Sequence, residues 1–115
     1  MALSNAGRNH IAAAIAGEAP TPFDHTNAYL GVGDSTDAFD AADTNLQAAT
    51  NKKRVGMDET YPQRTDNVLT LRATFGLTDA NFAWAEWGVF NAAPAGTMLS
   101  RKVEALGTKP DTQTW

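Results

Sequence analysis

The residue best suited to chemistry is Glu86, the one acidic residue inside the apolar segment Phe82–Phe90. A carboxyl group enclosed by apolar side chains could act as a general acid. More often, such a residue pairs with a base on a neighbouring strand. Arg72 and Arg101 are the two candidates for that base. We therefore predict a structural ion pair at Glu86 and no enzymatic activity.

The two histidines of the chain, His10 and His25, offer an alternative. A small hydrolase centred on Glu86 would need one of them within hydrogen-bond reach of the carboxylate. Neither histidine has a second one four residues away, as a helical zinc pair requires. We interpret both as structural or exposed residues.

A series of four aspartates invites comparison with a calcium loop: Asp34, Asp37, Asp40 and Asp43. A loop of the EF-hand type places oxygen ligands on alternate residues, a glycine at the sharp turn and a closing glutamate. Here the acids recur every third residue, and no glycine or closing glutamate accompanies them. We predict capping and solvation of a surface loop, with no metal and no cofactor.

Glycines and tryptophans supply two further motifs. Gly31 and Gly33 resemble the start of a phosphate-binding turn, but the third glycine and the helix that should follow are missing. Close packing of a ring or backbone against them is the simpler interpretation. Trp84 and Trp87 could stack on sugars, yet a spacing of three places them on opposite faces of a strand. We assign Trp87 to the core, as its largest member, with Phe75, Val89 and Leu99.

The composition is that of a globular protein, with 43% apolar and 19% charged residues among 115. This length predicts a single domain covering residues 1–115. A net charge of −4, with one short basic run at Lys52–Arg54, argues against nucleic-acid binding. The sequence has no cysteine, no apolar run long enough for a membrane span and no recognisable signal peptide.

The elements that position these residues follow from caps and periodicity. Ser4 is a good N-cap and Gly17 a good helix stop, so we predict a helix over residues 4–16. Residues 27–115 are rich in strand patterns. The predicted strands are Asn27–Gly33, Arg54–Tyr61, Asn67–Phe75, Phe82–Phe90 and Thr97–Leu106, with Thr112–Trp115 opening another. A helical turn is expected from Ser35 to Phe39. The fold class is mainly β (α+β): an N-terminal helix followed by an antiparallel sheet or small β-sandwich.

Four segments, taken in order, carry a resemblance to a known family. Leu3–Arg8 reads LSNAGR before an Ala/Ile-rich helix, Tyr29–Asp34 reads YLGVGD, Phe82–Ala92 reads FAWAEWGVFNA, and Gly96–Arg101 reads GTMLSR. They are similar to the (L/I)TNAG, hIavGdg, f.E.Glfn and GtLl.R elements of bacteriophage tail-collar and tail-fibre-like proteins. Together they span nearly the whole chain.

The resemblance implies a structural role in the virion, without catalysis, in an oligomeric and often trimeric assembly. We expect a tail, tail-fibre or collar/adaptor subunit that is made in the host bacterial cytoplasm and resides in the virion. Its partners would be copies of itself, with a trimer favoured, and other virion proteins, but neither nucleic acid nor membrane. Alternatives are a capsid decoration or head-fibre protein, and a carbohydrate-binding module that contacts a host surface glycan at a fibre tip.

The segment Phe82–Phe90 is apolar on both faces, which is typical of a strand covered on both sides by its own fold or by a partner. We expect copies of the chain to meet through the helix and the C-terminal strands. The candidate interface residues are Ile11, Ile15, Trp84, Phe90 and Trp115.

Overall fold

The computed structural model of the chain describes residues 2–115, so Met1, the first residue of the predicted domain, lies outside the described part. The fold is mainly β with a single short helix, as predicted. The elements are β1 (Ala2–Leu3), α1 (Asn5–Ile15), β2 (Tyr29–Gly33), β3 (Lys52–Gly56), β4 (Gln63–Thr65), β5 (Val68–Thr70), β6 (Ala83–Phe90) and β7 (Met98–Thr108). Within residues 2–115, no helix is long and apolar enough to cross a membrane.

Helix α1 begins where the sequence predicts, because the Ser4 side chain accepts a hydrogen bond from the backbone N–H of Gly7. The Ser4 hydroxyl in turn donates to the carbonyl of Met98 at 2.6 Å. Gly7 permits this close docking: a Cβ there would lie 2.2 Å from the carbonyl oxygen of Leu99. The cap therefore also fixes the helix to strand β7.

A five-stranded antiparallel sheet, in the order β1-β7-β6-β2-β3, forms the body of the molecule. Its first face carries Glu86 and Phe90 of β6 and is covered by residues 34–51, which connect β2 to β3. Its second face carries Val32 and Trp87, which pack with Phe75, Trp84 and Trp115. Aperiodic segments thus complete both halves of the core, in place of a second large sheet.

Strand β3 corrects one sequence prediction. It covers Lys52–Gly56 rather than Arg54–Tyr61. The reason is its partner: β2 offers only residues 29–33, whose register pairs Tyr29 with Gly56 and Gly33 with Lys52. The basic run therefore lies on an edge strand, where exposed lysines discourage pairing with another sheet.

Three other predicted elements are wrong. The strand predicted over Asn67–Phe75 is reduced to β5, because its only partner is the three-residue β4. Residues 35–39 form no helix, and 112–115 form no strand. The end of the chain is nevertheless held, since Trp115 and Phe75 exchange two backbone hydrogen bonds of 2.6 and 3.0 Å.

The core also differs from the prediction. Phe75 and Val89 are buried as expected, but Trp87 and Leu99 are only half-buried, and Trp84 is the buried tryptophan. The pairing of β6 with β7 jumps from Trp84–Gly107 to Glu86–Val103, which marks a bulge. The strand pairing is therefore irregular beside Trp84, and Trp84 and Trp87 pack in one cluster rather than on opposite faces.

Candidate functional site

The most concentrated polar cluster lies on the first face of the sheet, around Glu86 and Arg101. Both side chains are fully buried, and Nε of Arg101 donates to Oε1 of Glu86 at 2.8 Å. The predicted ion pair with Arg101 is thereby confirmed. The other candidate base, Arg72, pairs with Asp58 at 3.2 Å instead.

Glu86 accepts further hydrogen bonds from the backbone of the segment that covers it. The N–H groups of Gln47 and Ala48 donate at 2.8 and 2.9 Å, and that of Ser35 at 3.4 Å. Arg101 reaches the same segment through the carboxylate of Asp43 at 3.2 Å and the carbonyl of Asp37 at 2.9 Å. Sequence reasoning missed these partners, because backbone groups of an aperiodic loop leave no residue signature.

The arrangement suits structure better than catalysis. A carboxylate that accepts hydrogen bonds from an arginine and several backbone amides has little hydrogen-bonding capacity left for a substrate. The histidines lie elsewhere: the ring of His10 packs edge-on against Phe23, and Nδ1 of His25 is 2.8 Å from the carbonyl oxygen of Tyr61. The hydrolase centre considered from the sequence is therefore not assembled around Glu86.

The aspartate series acts as loop-capping groups. Oδ2 of Asp43 accepts from the N–H of Asp40, and Oδ1 of Asp40 accepts from that of Ala42. Asp34 accepts from the side chain of Asn51 at 2.8 Å. Among residues 2–115, no group of three or more acidic, histidine or cysteine side chains is arranged to hold a metal ion.

An apolar pocket of about 250 Å³ opens on the second face, lined among others by Trp84, Trp87, Leu106 and Trp115. Trp84 is only 9% exposed and donates its indole N–H to the carbonyl of Ala80. The indole N–H of Trp87 donates to the carboxylate of Glu104 at 3.1 Å. That hydrogen bond, with the charge of nearby Lys102, lowers the pKa of Glu104. A sugar site needs convergent polar groups, whereas this lining is apolar.

A second pocket, of about 360 Å³, lies beside the basic run and includes Arg54. The guanidinium of Arg54 stacks 3.6 Å from the centre of the Phe90 ring. It also donates to the carbonyls of Ala92 and Ala95, both at 2.7 Å. Burial lowers its pKa. Arg54 thus holds the β6–β7 turn against the sheet.

The predicted interface residues fall into two groups. Ile15 is 82% exposed on α1, and Ile11 of the same helix is also exposed, so both stay candidates for a contact with another chain. Trp84 and Phe90 are buried within the chain itself, which corrects their assignment. Trp115 is half-buried, with its ring centre 5.0 Å from that of Trp84.

An exposed arm is the feature that sequence reasoning missed. Strands β4 and β5 pair only with each other, and every residue of both is exposed, including the apolar Val68 and Leu69. A hairpin signal was present: Asp66 and Asn67 stand between the strands, and Asp66 adopts a positive φ of 52°. Asp58 holds the base of the arm through its ion pair with Arg72 and a hydrogen bond from Thr74.

Comparisons with protein-family models, curated proteins and solved structures find no match for this chain.

Proposed function

We propose that the chain is a structural subunit of a bacteriophage virion, belonging to the tail, tail fibre or collar/adaptor, and that it acts by oligomeric assembly. A trimer is the favoured state, following the resemblance to tail-collar and tail-fibre-like proteins. The partners are copies of the chain and neighbouring virion proteins.

The observation that carries this proposal is the exposed arm β4–β5. A two-stranded hairpin without a packed face is marginal in water, and this one presents apolar Val68 and Leu69 to solvent. Exposed apolar side chains on a projecting element favour contact with another protein surface. The exposed Ile11 and Ile15 of α1 offer a second surface of the same kind.

The residues that carry the family resemblance support a building role rather than a catalytic one. Ser4 and Gly7 dock the helix, while Glu86 and Arg101 join β6, β7 and the covering loop. Among residues 2–115, every buried side-chain nitrogen or oxygen has a hydrogen-bond partner. These residues therefore stabilise a single folded unit, which is what a repeated subunit of an assembly requires.

The test is mass spectrometry and cryo-electron microscopy of purified particles of the phage that encodes the chain. The proposal expects the protein at a fixed copy number, with symmetric density at the tail, fibre or collar. Density on the capsid surface would favour the decoration alternative. Absence of the protein from purified particles would reject a virion role altogether.

A matched pair of variants tests the arm. Leu69→Lys places a charge on a β5 side chain that is 44% exposed, and Leu77→Lys places one on a side chain outside the arm that is 52% exposed. The first should reduce incorporation into particles and the second should not. Equal incorporation of both variants would remove the arm from the proposed interface.

A further inference from the structure

Residues 34–51, which we call the strap, form an aperiodic connection that crosses the first face of the sheet. They contain neither helix nor strand, although they join neighbouring strands β2 and β3. Leu46 and Ala48 of the strap are buried, and Leu46 packs with Phe90 and Met98. The strap therefore supplies part of the core without joining the ladder of the sheet.

The sheet beneath the strap is shaped to receive it. A Cβ on Gly31 would lie 3.1 Å from Cδ1 of Leu46, and one on Gly33 would lie 3.1 Å from Cβ of Ala48. The glycine at 33 also leaves room for the Glu86 carboxylate, whose Oε2 would be 2.3 Å from that Cβ. Side chains at these two positions would crowd Phe90, Glu86 and the strap, so the two glycines allow the strap to lie close to the sheet.

A small number of polar side chains hold the strap closed. Glu86 receives the N–H groups of Gln47 and Ala48, and Arg101 binds Asp43 and the carbonyl of Asp37. Three further links are the hydrogen bonds from Arg54 to Asn45, from the backbone of Asn5 to Ala41 and from the backbone of Ser35 to Glu86. The sheet, in contrast, is held by ladders of backbone hydrogen bonds between β2, β6 and β7.

We propose that the strap is a latched unit that opens separately from the sheet, with the Glu86 carboxylate and Arg101 as its latch. Elements held by few contacts open at a lower free energy than the ladder they cover. Opening removes Leu46 from Phe90 and Met98, which are both fully buried in the closed form, while Arg54 of β3 stays over the Phe90 ring. It thus exposes part of the sheet face formed by β6 and β7 while the sheet persists.

Site-resolved amide hydrogen exchange tests this inference. In the unaltered protein, the amides of Gln47 and Ala48 should exchange faster than ladder amides such as those of Trp87 and Val89. Glu86→Gln keeps the size of the side chain and removes its charge, and should speed strap exchange about 10- to 100-fold, the value of a charge-assisted hydrogen bond. Ladder amides that exchange only on global unfolding should remain slower than those of the strap in both proteins. Equal exchange rates for strap and ladder in the unaltered protein, or no acceleration of the strap in Glu86→Gln, would overturn the proposal.

A milder pair of variants keeps the test valid should Glu86→Gln fail to fold. Asp43→Asn weakens the contact with Arg101 from the strap side, where the carboxylate is partly exposed. Asp37→Asn is the matched control, because Arg101 binds the Asp37 carbonyl and not its carboxylate. Asp43→Asn should speed exchange of the strap amides, and Asp37→Asn should leave their exchange rates unchanged. Identical exchange in these two variants would contradict the latch.

Discussion

At the scale of single residues, the two central tryptophans of β6 have different roles. The ring of Trp84 packs edge-on against Phe75 and Trp115, with centroids 4.9 and 5.0 Å apart, and its N–H is bonded inside the core. Trp87 lies half-exposed at the edge of the same cluster, tied to Glu104. Burial and ring contacts therefore assign the larger share of stability to Trp84.

Replacing Trp84 by alanine should lower the free energy of unfolding by about 3–5 kcal/mol, the usual cost of truncating a buried aromatic side chain. Trp87→Ala should cost clearly less, because part of its ring is already in water. Chemical denaturation of both variants measures the difference. A larger loss for Trp87→Ala would contradict the assignment of Trp84 as the more buried of the two side chains.

The Trp87–Glu104 contact predicts a pH effect. The indole hydrogen bond lowers the pKa of Glu104 in the folded protein, so it stabilises the fold above the ordinary pKa of a glutamate. That stabilisation is lost as the pH falls through the lowered folded value. Trp87→Phe keeps a ring but removes the donor, and the pKa of Glu104 should rise towards its ordinary value. Carboxyl-detected NMR titration measures it, and an unchanged titration would exclude the hydrogen bond as the main cause.

At the scale of elements, sequence reasoning succeeded where local chemistry decides the structure. The cap at Ser4 and the stop at Gly17 place α1 within one residue of its predicted bounds of 4–16, and alternation predicts β6 and β7. It failed for β3 and for Asn67–Phe75, because strand length depends on a partner that a local pattern does not reveal. Sequence patterns predict Glu86 and Arg101 at the candidate site. They do not predict the strap's backbone amides there, because those contacts also depend on the tertiary fold.

Helix α1 packs closely on β7 at Gly7, and this contact can be tested by substitution. Gly7→Ala should destabilise the fold by about 1–3 kcal/mol, since the new methyl group meets the backbone of Leu99 and the helix has to shift. Gly56→Ala is a matched control, because its Cβ would meet only ordinary contacts at 3.7 Å. Thermal unfolding of the two variants provides the comparison. A Gly7→Ala protein as stable as Gly56→Ala would show that the helix is not seated closely on β7.

At the scale of the whole molecule, the chain is a small sheet completed by loops, with exposed apolar side chains on an arm and on a helix. The molecule measures 44 × 31 × 24 Å along its principal axes. Interior polar groups are engaged in holding the strap and the turns, whereas Ile15, Val68 and Leu69 face solvent. Exposed apolar side chains of this kind are the basis of the assembly that we propose.

Multi-angle light scattering of the purified protein over a range of concentrations tests most directly whether the chain assembles with itself. We predict a mass that is a whole-number multiple of 12.2 kDa, with three chains favoured, and a shift towards the single-chain mass in Leu69→Lys. Leu77→Lys should keep the mass of the unaltered protein. A mass of 12.2 kDa at every concentration would contradict the claim that this chain assembles with itself.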